Sequence, residues 1–252
     1  MSGAALAADG LSRSFGSLRV ADQVSFELPV GARYALIGPN GAGKTTLINL
    51  LTGILHPDAG RVFLDGAEVT GLDPDRRVKR GLARTFQINQ LFPALTPLEA
   101  VTLAVCERMG LAGDWRRRLT SCRAAIAEAA ELLAALRLTE DCNRPTAELA
   151  YGRQRLLEIA LALAAKPKVL LLDEPAAGVP AAESAELFEV IAGLPADIAV
   201  LFIEHDMHLV FRFATRIIVL AAGRVLAEGT PAEIAENPQV REVYLGGSKI
   251  RV

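Results

Sequence analysis

The fold of this 252-residue chain is decided by the stretch Gly38-Pro39-Asn40-Gly41-Ala42-Gly43-Lys44-Thr45-Thr46. It matches the pattern G-x-x-x-x-G-K-[ST] at every fixed position. Residues 33–37 before it predict a buried strand, and residues 46–55 after it predict a helix. Glycines let the backbone N–H groups and the helix N-terminus point at one anion, to which Lys44 adds a charge and Thr45 a magnesium ligand. Because a chance glycine-rich turn would lack both flanking elements, the sequence predicts a nucleotide phosphate site.

Composition and charge argue against several classes of protein. Hydrophobic residues make up 51% of the chain, but charged residues interrupt the apolar runs, so we expect no segment that spans a bilayer. The N-terminus lacks the basic start and unbroken apolar segment of a secretory signal. Cys106, Cys122 and Cys142 form no C-x-x-C pair. We therefore expect a cytosolic protein with reduced thiols.

Charge gives little indication of a nucleic-acid partner. The net charge is −2, with 27 basic and 29 acidic residues, so the total shows no electrostatic footprint for DNA or RNA. The densest basic run is Arg116-Arg117-Arg118, beside Trp115. A solvated loop is the simplest interpretation of this run, and contact with lipid headgroups or a partner is the alternative.

The remaining pattern predicts two kinds of sheet. Alternating segments in residues 6–28 predict antiparallel strands, and residues 61–69 predict a hairpin that resumes the same small sheet. Continuous apolar runs, separated by predicted helices, indicate buried parallel strands at residues 33–37, 168–172, 198–203 and 216–220. We therefore expect an α/β protein with a parallel core sheet beside an antiparallel β subdomain.

A helical insertion is predicted within this α/β core. Residues 96–138 have helical spacing, most clearly where alanine and leucine recur at 122–136. We expect an inserted helical subdomain of approximately residues 88–150 within one domain that spans residues 1–252. The loop at residues 87–93 carries apolar side chains that suit contact with another protein.

Two adjacent carboxylates close the apolar run at 168–172. Ligands of open parallel sheets lie at the carboxyl ends of the strands, where Asp173 and Glu174 are predicted. Asp173 can hold magnesium directly or through water, and Glu174 can polarise an attacking water in line with the terminal phosphate. An ordinary strand end would explain these two residues alone, but their combination with the phosphate loop favours catalysis.

Two further side chains leave alternatives open. Phe15 precedes a glycine in a turn, where its ring is suited either to stack on adenine or to pack into the sheet. His205 is suited to be a surface histidine or, with Glu204, Asp206 and His208 close by, a metal ligand.

Together these motifs resemble the ATP-binding subunits of ATP-binding-cassette (ABC) transporters over nearly the whole chain. Residues 38–46 resemble the Walker A motif, residues 149–154 the signature motif and residues 170–174 the Walker B motif with its catalytic glutamate. Gln87 resembles the Q-loop residue and His205 the switch histidine. The resemblance implies the P-loop ATPase fold, ATP hydrolysis, and ATP with Mg²⁺ as cofactors.

The same resemblance assigns roles to individual residues. Glu174, His205 and Gln87 would be catalytic, with Gln87 sensing magnesium and water and His205 contacting the terminal phosphate. The metal set would be Thr45, Gln87 and Asp173. The nucleotide set would be Phe15, Gly38, Pro39, Asn40, Gly41, Ala42, Gly43, Lys44, Thr45 and Thr46, together with Ala150, Tyr151 and Gly152 acting on the nucleotide of a second subunit.

Within the superfamily the chain looks like the branched-chain amino acid uptake ATPases. This likeness rests on residues 83–87, 91–93, 204–207 and on the tail at 228–246. It implies a subunit on the inner face of the cell membrane that binds permease subunits through residues 87–93 and serves a solute-binding protein indirectly. The ATPase of the lipopolysaccharide export system has a similar tail, so a lipid exporter is the nearest alternative.

Two residues depart from the family pattern. Ala150 replaces the signature serine, and losing one hydrogen bond to a charged group costs about 1.5–3 kcal/mol. Pro180 replaces the usual asparagine of this uptake subfamily and removes a backbone donor. Both belong to elements that act across a dimer, so we expect a heterodimer with one weaker ATP site. A homodimer, with both substitutions tolerated, is the alternative. Tyr151, where the commonest signature has glycine, is typical of the uptake subfamily.

Two functions from other classes have less support. A soluble cassette ATPase acting on nucleic acid or an assembly scaffold would carry basic patches, coiled-coil insertions or a second cassette, and the sequence has none of these. We therefore expect no nucleic-acid partner. A small-molecule kinase would have a lid with clustered arginines and no signature motif, so residues 149–154 argue against it.

Overall fold

The computed structural model describes residues 3–85, 91–111 and 118–245. Within these ranges the strands are β1 Ala4–Phe15, β2 Leu18–Pro29, β3 Arg33–Ile37, β4 Ala59–Leu64, β5 Ala67–Glu68, β6 Leu82–Arg84, β7 Val169–Asp173, β8 Ala199–Ile203, β9 Arg216–Ala221 and β10 Arg224–Gly229. The helices are α1 Lys44–Thr52, α2 Pro74–Lys79, α3 Pro97–Arg108, α4 Arg123–Ala135, α5 Tyr151–Ala164, α6 Ala181–Ala192, α7 Met207–Phe213, α8 Pro231–Glu236 and α9 Pro238–Leu245. Single 3₁₀ turns lie at Leu119–Ser121, Thr139–Asp141 and Thr146–Glu148.

The strands form two sheets. One is antiparallel with the order β2-β1-β4-β5, and the other has the order β10-β9-β3-β8-β7-β6. The second sheet is parallel except for β10, which pairs antiparallel with β9. In register, Ile203 of β8 lies opposite both Leu36 of β3 and Asp173 of β7, so three strands end at one edge. The predicted α/β class, with a parallel core and an antiparallel sheet, is confirmed.

Each face of the parallel sheet packs against a different layer. Along β3, Tyr34 and Leu36 pack with α1 and the antiparallel sheet, whereas Ala35 and Ile37 pack with the helices on the other face. Every residue of β3, β7 and β8 is buried, as expected for strands covered on both sides. Helix α1 therefore shares a core with both sheets, which fixes the loop that precedes it.

Helices α3, α4 and α5 follow β6 and are tied together by one side chain. Arg108 of α3 donates from Nε to the carbonyl of Ala164 on α5 at 2.7 Å, and its Nη2 contacts both carboxylate oxygens of Glu128 on α4.

The predicted subdomain of residues 88–150 includes α3 and α4, and its bounds stay a prediction. Gln87, Trp115, Arg116 and Arg117 lie outside the described residues. In the described parts of the chain, no helix has both the length and the apolar character needed to cross a bilayer.

Strand β10 was not predicted. It follows a turn at Ala222 and Gly223, both with positive φ, and lies at the edge of the sheet. Five of its six residues are exposed or half-buried, without alternation along the strand. Its sequence therefore shows no period-two pattern of a half-buried strand.

Arg77 fixes the carboxyl end of α1. Its side chain is 0% exposed, and the guanidinium donates to the carbonyl oxygens of Leu50 and Leu51 at 2.9 and 2.6 Å. It also donates to Thr70 and Leu72 at 2.7 and 2.9 Å. The last carbonyls of a helix lack intrahelical partners and carry the negative end of its dipole, so a cation there is favourable. The helix that begins at the phosphate loop is therefore anchored at its other end.

We predict that Arg77→Met lowers the free energy of unfolding by about 3 kcal/mol, because buried carbonyls left unpaired cost about 1–3 kcal/mol each. Urea denaturation of the purified subunit measures the change. The control is Arg76→Met, an exposed arginine of the same helix, for which we expect a change within about 0.5 kcal/mol. Equal losses in the two variants would contradict the anchoring role of Arg77.

Candidate functional site

Two glycines let the phosphate loop pack directly on neighbouring strands. Gly43, the N-cap of α1, has a φ of 101°, and a Cβ there would lie 2.4 Å from the carbonyl oxygen of Val20 in β2. A Cβ on Gly38 would lie 2.2 Å from the carbonyl oxygen of Leu220 in β9. Only glycine fits at either position. Because Gly43 offers no capping side chain, the first N–H groups of α1 are available to an anion.

Lys44 lies inside the loop. Its side chain is buried, and Nζ donates to the carbonyl oxygens of Gly38 at 2.6 Å and Pro39 at 3.1 Å. Burial lowers the pKa of the Lys44 ammonium, while the nearby carboxylates of Glu174 and Asp173 act in the opposite direction. The loop thus holds the Lys44 ammonium close to Asp173, the last residue of β7, and to Glu174, which follows it. Thr45, the next residue of α1, is exposed.

Asp173 is held by a buried ion pair that the local sequence does not indicate. Its Oδ2 accepts a hydrogen bond from Nη2 of Arg84 at 2.7 Å, and the exposed fractions of the two side chains are 2% and 9%. Arg84 also donates from Nη1 to Oδ1 of Asn49 on α1 at 2.7 Å. Oδ1 of Asp173 is buried and, among the residues that the structure describes, has no hydrogen-bond partner. One oxygen is therefore fixed and the other is left for a further ligand, which fits Mg²⁺ or its bound water.

Glu174 turns towards β8, whereas Asp173 bonds to Arg84 on β6 on the other side. It has a φ of 51°, a strained conformation for a residue with a side chain and one that recurs at functional sites. Its N–H donates to the carbonyl oxygen of Ile203 at 3.1 Å, and its Oε1 lies 2.9 Å from Nε2 of His205. The two adjacent acids thus serve different neighbours, and Glu174 and His205 form a half-exposed pair at the strand ends.

Glu204 points inward, not towards a metal site. It is 4% exposed and accepts hydrogen bonds from the backbone N–H groups of Ala176 and His205. In the described ranges no cluster of three or more His, Cys, Asp or Glu side chains could hold a metal ion. These observations argue against the alternative that His205 is a metal ligand.

Phe15 ends β1 with its ring outside the sheet. The ring is 48% exposed, and the guanidinium carbon of Arg13 lies 5.2 Å from its centroid. Strand β2 leads from this turn to Val20, which contacts Gly43 of the phosphate loop. The alternative that Phe15 packs into the sheet is therefore wrong, whereas adenine stacking stays a prediction.

The signature residues pack against the loop that follows β7. The ring of Tyr151 lies against Gly178, where an added Cβ would be 3.2 Å from Cε1 of the ring. The Tyr151 hydroxyl accepts a hydrogen bond from Nη2 of Arg155 at 2.6 Å. A Cβ on Gly152 would lie 2.6 Å from a carboxylate oxygen of Glu183 on α6. The start of α5 and the loop before α6 therefore form one continuous surface.

Both family departures occupy N-caps. Ala150 is the N-cap of α5 and Pro180 is the N-cap of α6, and neither side chain makes a capping hydrogen bond. Serine and asparagine are favoured N-cap residues because their side-chain oxygens accept hydrogen bonds from the first turn. Ala150 and Pro180 therefore leave both helix N-termini without a side-chain cap.

Comparison with known proteins identifies the family. The family model described as "ABC transporter" matches residues 21–177, and the model described as "Branched-chain amino acid ATP-binding cassette transporter" matches residues 224–249. The chain belongs to the ATP-binding subunits of ABC transporters. Members of this family are ATPases coupled to transport, so the chain is an ATPase. The predicted family, fold and enzyme class are confirmed.

Individual relatives cover almost the whole chain. The high-affinity branched-chain amino acid transport ATP-binding protein BraF of Pseudomonas aeruginosa is 41% identical over 98% of this chain and 99% of its own length. A nucleotide-free ATP-binding cassette from an ABC transporter has a TM-score of 0.84 and 30% identity, covering 96% of this chain and 99% of that one. A dimeric post-hydrolysis cassette bound to ADP and phosphate has a TM-score of 0.73 and 25% identity, covering 90% and 98%.

The structure brings together most of the predicted site of this ABC subunit. The phosphate loop, Asp173, Glu174 and His205 meet at the carboxyl edge of the parallel sheet, whereas residues 150–152 contact residues 178–183 instead. Gln87 lies outside the described residues. The local sequence indicates no role for Arg84, and it shows Glu204 only as a neighbour of His205. No local signal reveals the partner of Arg84, because β6 lies beside β7 only in the folded sheet.

We predict that Gly178→Ala lowers the free energy of unfolding by more than about 1 kcal/mol, because alanine is disfavoured at a φ of 78° and its Cβ would press on Tyr151. Chemical denaturation measures the loss. Gly66→Ala is the matched control, since Gly66 has a φ of 75° and a Cβ there meets nothing within 4 Å. Adding Tyr151→Ala should remove the excess of Gly178→Ala over this control. An excess that persists without the ring would contradict the contact.

Proposed function

We propose that the chain is the ATP-hydrolysing subunit of an importer of branched-chain amino acids. The observation that carries this proposal is the match of residues 224–249 to the branched-chain amino acid transporter model, joined to 41% identity with BraF. This tail includes β10, α8 and α9, whose Ile234 and Val240 are buried against the helical face of the core. The match favours amino acid import over lipid export.

The geometry supports a specific division of roles at the ATP site. Lys44 and the first N–H groups of α1 bind the outer phosphates of ATP. Thr45 and Oδ1 of Asp173, which has no hydrogen-bond partner among the described residues, would hold Mg²⁺, and the bound ion would neutralise charge on the phosphate oxygens. Glu174 accepts the proton of the attacking water, and His205 holds the Glu174 carboxylate in place at 2.9 Å and contacts the terminal phosphate. Gln87 completes the set as a ligand that senses magnesium and water.

A second ATPase subunit completes each site. A related cassette was solved as a dimer with ADP and phosphate, which supports the same assembly here. Ala150, Tyr151 and Gly152 would face the nucleotide of the partner, with the N-terminus of α5 directed at its terminal phosphate. Because Ala150 lacks the hydroxyl that a signature serine would donate to the terminal phosphate, and Pro180 lacks a backbone N–H, a heterodimer is favoured, in which the site built on this chain's own phosphate loop is the stronger one.

The membrane partners are permease subunits, bound near residues 87–93. Of its described residues, Leu91 packs against the core and Phe92 is 69% exposed, so an aromatic ring is presented beside a packed residue. Docking there places the chain at the inner face of the cell membrane. Closure of the ATPase dimer then moves the permeases, and the solute-binding protein is served only through them.

Uptake measurements test the proposed function. In cells that lack this chain, the wild-type protein should restore uptake of radiolabelled leucine, isoleucine and valine, and Lys44→Ala should not, because it removes the cation of the phosphate loop. The control is Lys79→Ala, an exposed lysine of α2, which should restore uptake fully. Unchanged uptake of all three amino acids without the chain would refute the proposed solute.

A second measurement tests the asymmetry of the dimer. In the assembled complex, Glu174→Gln should reduce ATPase turnover to less than about a tenth, since a general base contributes about 10²–10⁴-fold. Survival of most of the activity would show that the stronger site lies elsewhere. Ala150→Ser, which restores a hydroxyl that can donate to the terminal phosphate, should raise turnover about twofold because it improves the weaker site. No change would favour the tolerated-substitution alternative.

A further inference from the structure

A buried carboxylate joins the two segments that carry Glu174 and His205. Glu204 directly follows β8 and is 4% exposed. Its Oε1 accepts a hydrogen bond from the N–H of Ala176 at 2.8 Å, and its Oε2 accepts one from the N–H of His205 at 3.2 Å. Ala176 is two residues after Glu174. One side chain therefore fixes the backbone on both sides of the Glu174–His205 pair.

This arrangement sets where the two reactive side chains meet. Glu174 and His205 leave the ends of different strands and approach to 2.9 Å, although their side chains are 26% and 44% exposed. Exposed side chains gain little restraint from packing, so their relative position depends on the backbone that carries them. Two hydrogen bonds cross between these backbone segments, from the N–H of Ala176 to Oε1 of Glu204 and from the N–H of Glu174 to the carbonyl of Ile203. The bond from the N–H of His205 to Oε2 of Glu204 joins adjacent residues and fixes the backbone at His205 to the same carboxylate.

Burying this acid is costly, which argues against a role in packing alone. Burial raises the pKa of Glu204, and the Glu174 carboxylate adds to the rise, while the two backbone N–H groups and His205 oppose it. When the folded state raises the pKa of an acid, the free energy of unfolding falls as the pH rises through that pKa, because the ionised acid is less favourable in the folded protein than in the unfolded chain. A neutral side chain of similar volume would avoid this desolvation cost but would not accept both backbone N–H groups.

We propose that Glu204 is a positioning residue for ATP hydrolysis, which holds His205 and the Ala176 loop so that the Glu174–His205 pair is aligned for the attacking water. This inference rests on the roles proposed above for Glu174 and His205. Glu204 acts through these two residues and contacts neither water nor phosphate in the reaction.

The test is Glu204→Gln in the assembled complex. The amide keeps one oxygen acceptor, but its NH₂ group cannot accept the second N–H, so one of the two restraints is lost. We expect kcat to fall about tenfold, because misplacing a catalytic group by about 1 Å costs up to about 100-fold. The KM for ATP should stay within about twofold, since Lys44 and the loop are untouched. The thermal midpoint should change by less than about 4 °C.

Two further variants, Asp206→Asn and Glu174→Gln, separate the possible explanations of a change in kcat. Asp206→Asn removes the same charge two residues away, where the carboxylate is exposed and asparagine can still cap α7, so its kcat should equal that of the wild type. A Glu204→Gln complex with unchanged kcat would overturn the inference. So would a fall in kcat matched by a drop in thermal midpoint or in ATP affinity, since these indicate a structural role. Full activity of Glu174→Gln would instead refute the catalytic assignment itself.

Discussion

The site depends on the position of β8 between β3 and β7. Parallel pairing in register places Leu36, Asp173 and Ile203 side by side, so the three segments that leave these strands begin at the same edge. One segment is the phosphate loop, the second carries Glu174 and the third carries His205. A shift of one residue in either pairing would turn every side chain of the shifted strand to the opposite face of the sheet. All five residues of β8 are buried, so their side chains would no longer fit against the layers that cover the sheet. The packing of the core and the geometry of the site are therefore one constraint.

Charged side chains hold the elements around that edge in place. Arg84 connects β6 to Asp173 and to α1, Arg77 anchors the far end of α1, and Glu204 joins the segments after β7 and β8. Buried charges are costly unless they are paired or fully hydrogen-bonded, and these three make their bonds to fixed partners, mostly backbone atoms. They also orient the elements that they join, since hydrogen bonds specify distances and angles that apolar contacts leave free.

The sequence predicted those features that depend on neighbouring residues. The phosphate loop could be found because its glycines, Lys44 and Thr45 are consecutive, and the core strands because their apolar runs are continuous. Arg84 and Asp173, 89 positions apart, meet only because β6 pairs with β7, which no local pattern reveals. The inward direction of Glu204 has the same origin. Strand β10 escaped prediction because it is an exposed edge strand that lacks alternation.

In the proposed heterodimer, the ATP site of this chain and the surface that it would offer to its partner differ in how they are built. Its own site uses rigid parts, namely a glycine-packed loop, a buried ion pair and a carboxylate that bonds two backbone segments. The offered surface is also fixed, since Tyr151 packs on Gly178 and Gly152 on Glu183, but Ala150 carries no hydroxyl and Pro180 no backbone N–H. The difference therefore lies in the number of hydrogen-bond donors and not in rigidity. In the proposed heterodimer such a surface would close over the partner's nucleotide while donating fewer hydrogen bonds to its terminal phosphate, which would make the two ATP sites unequal.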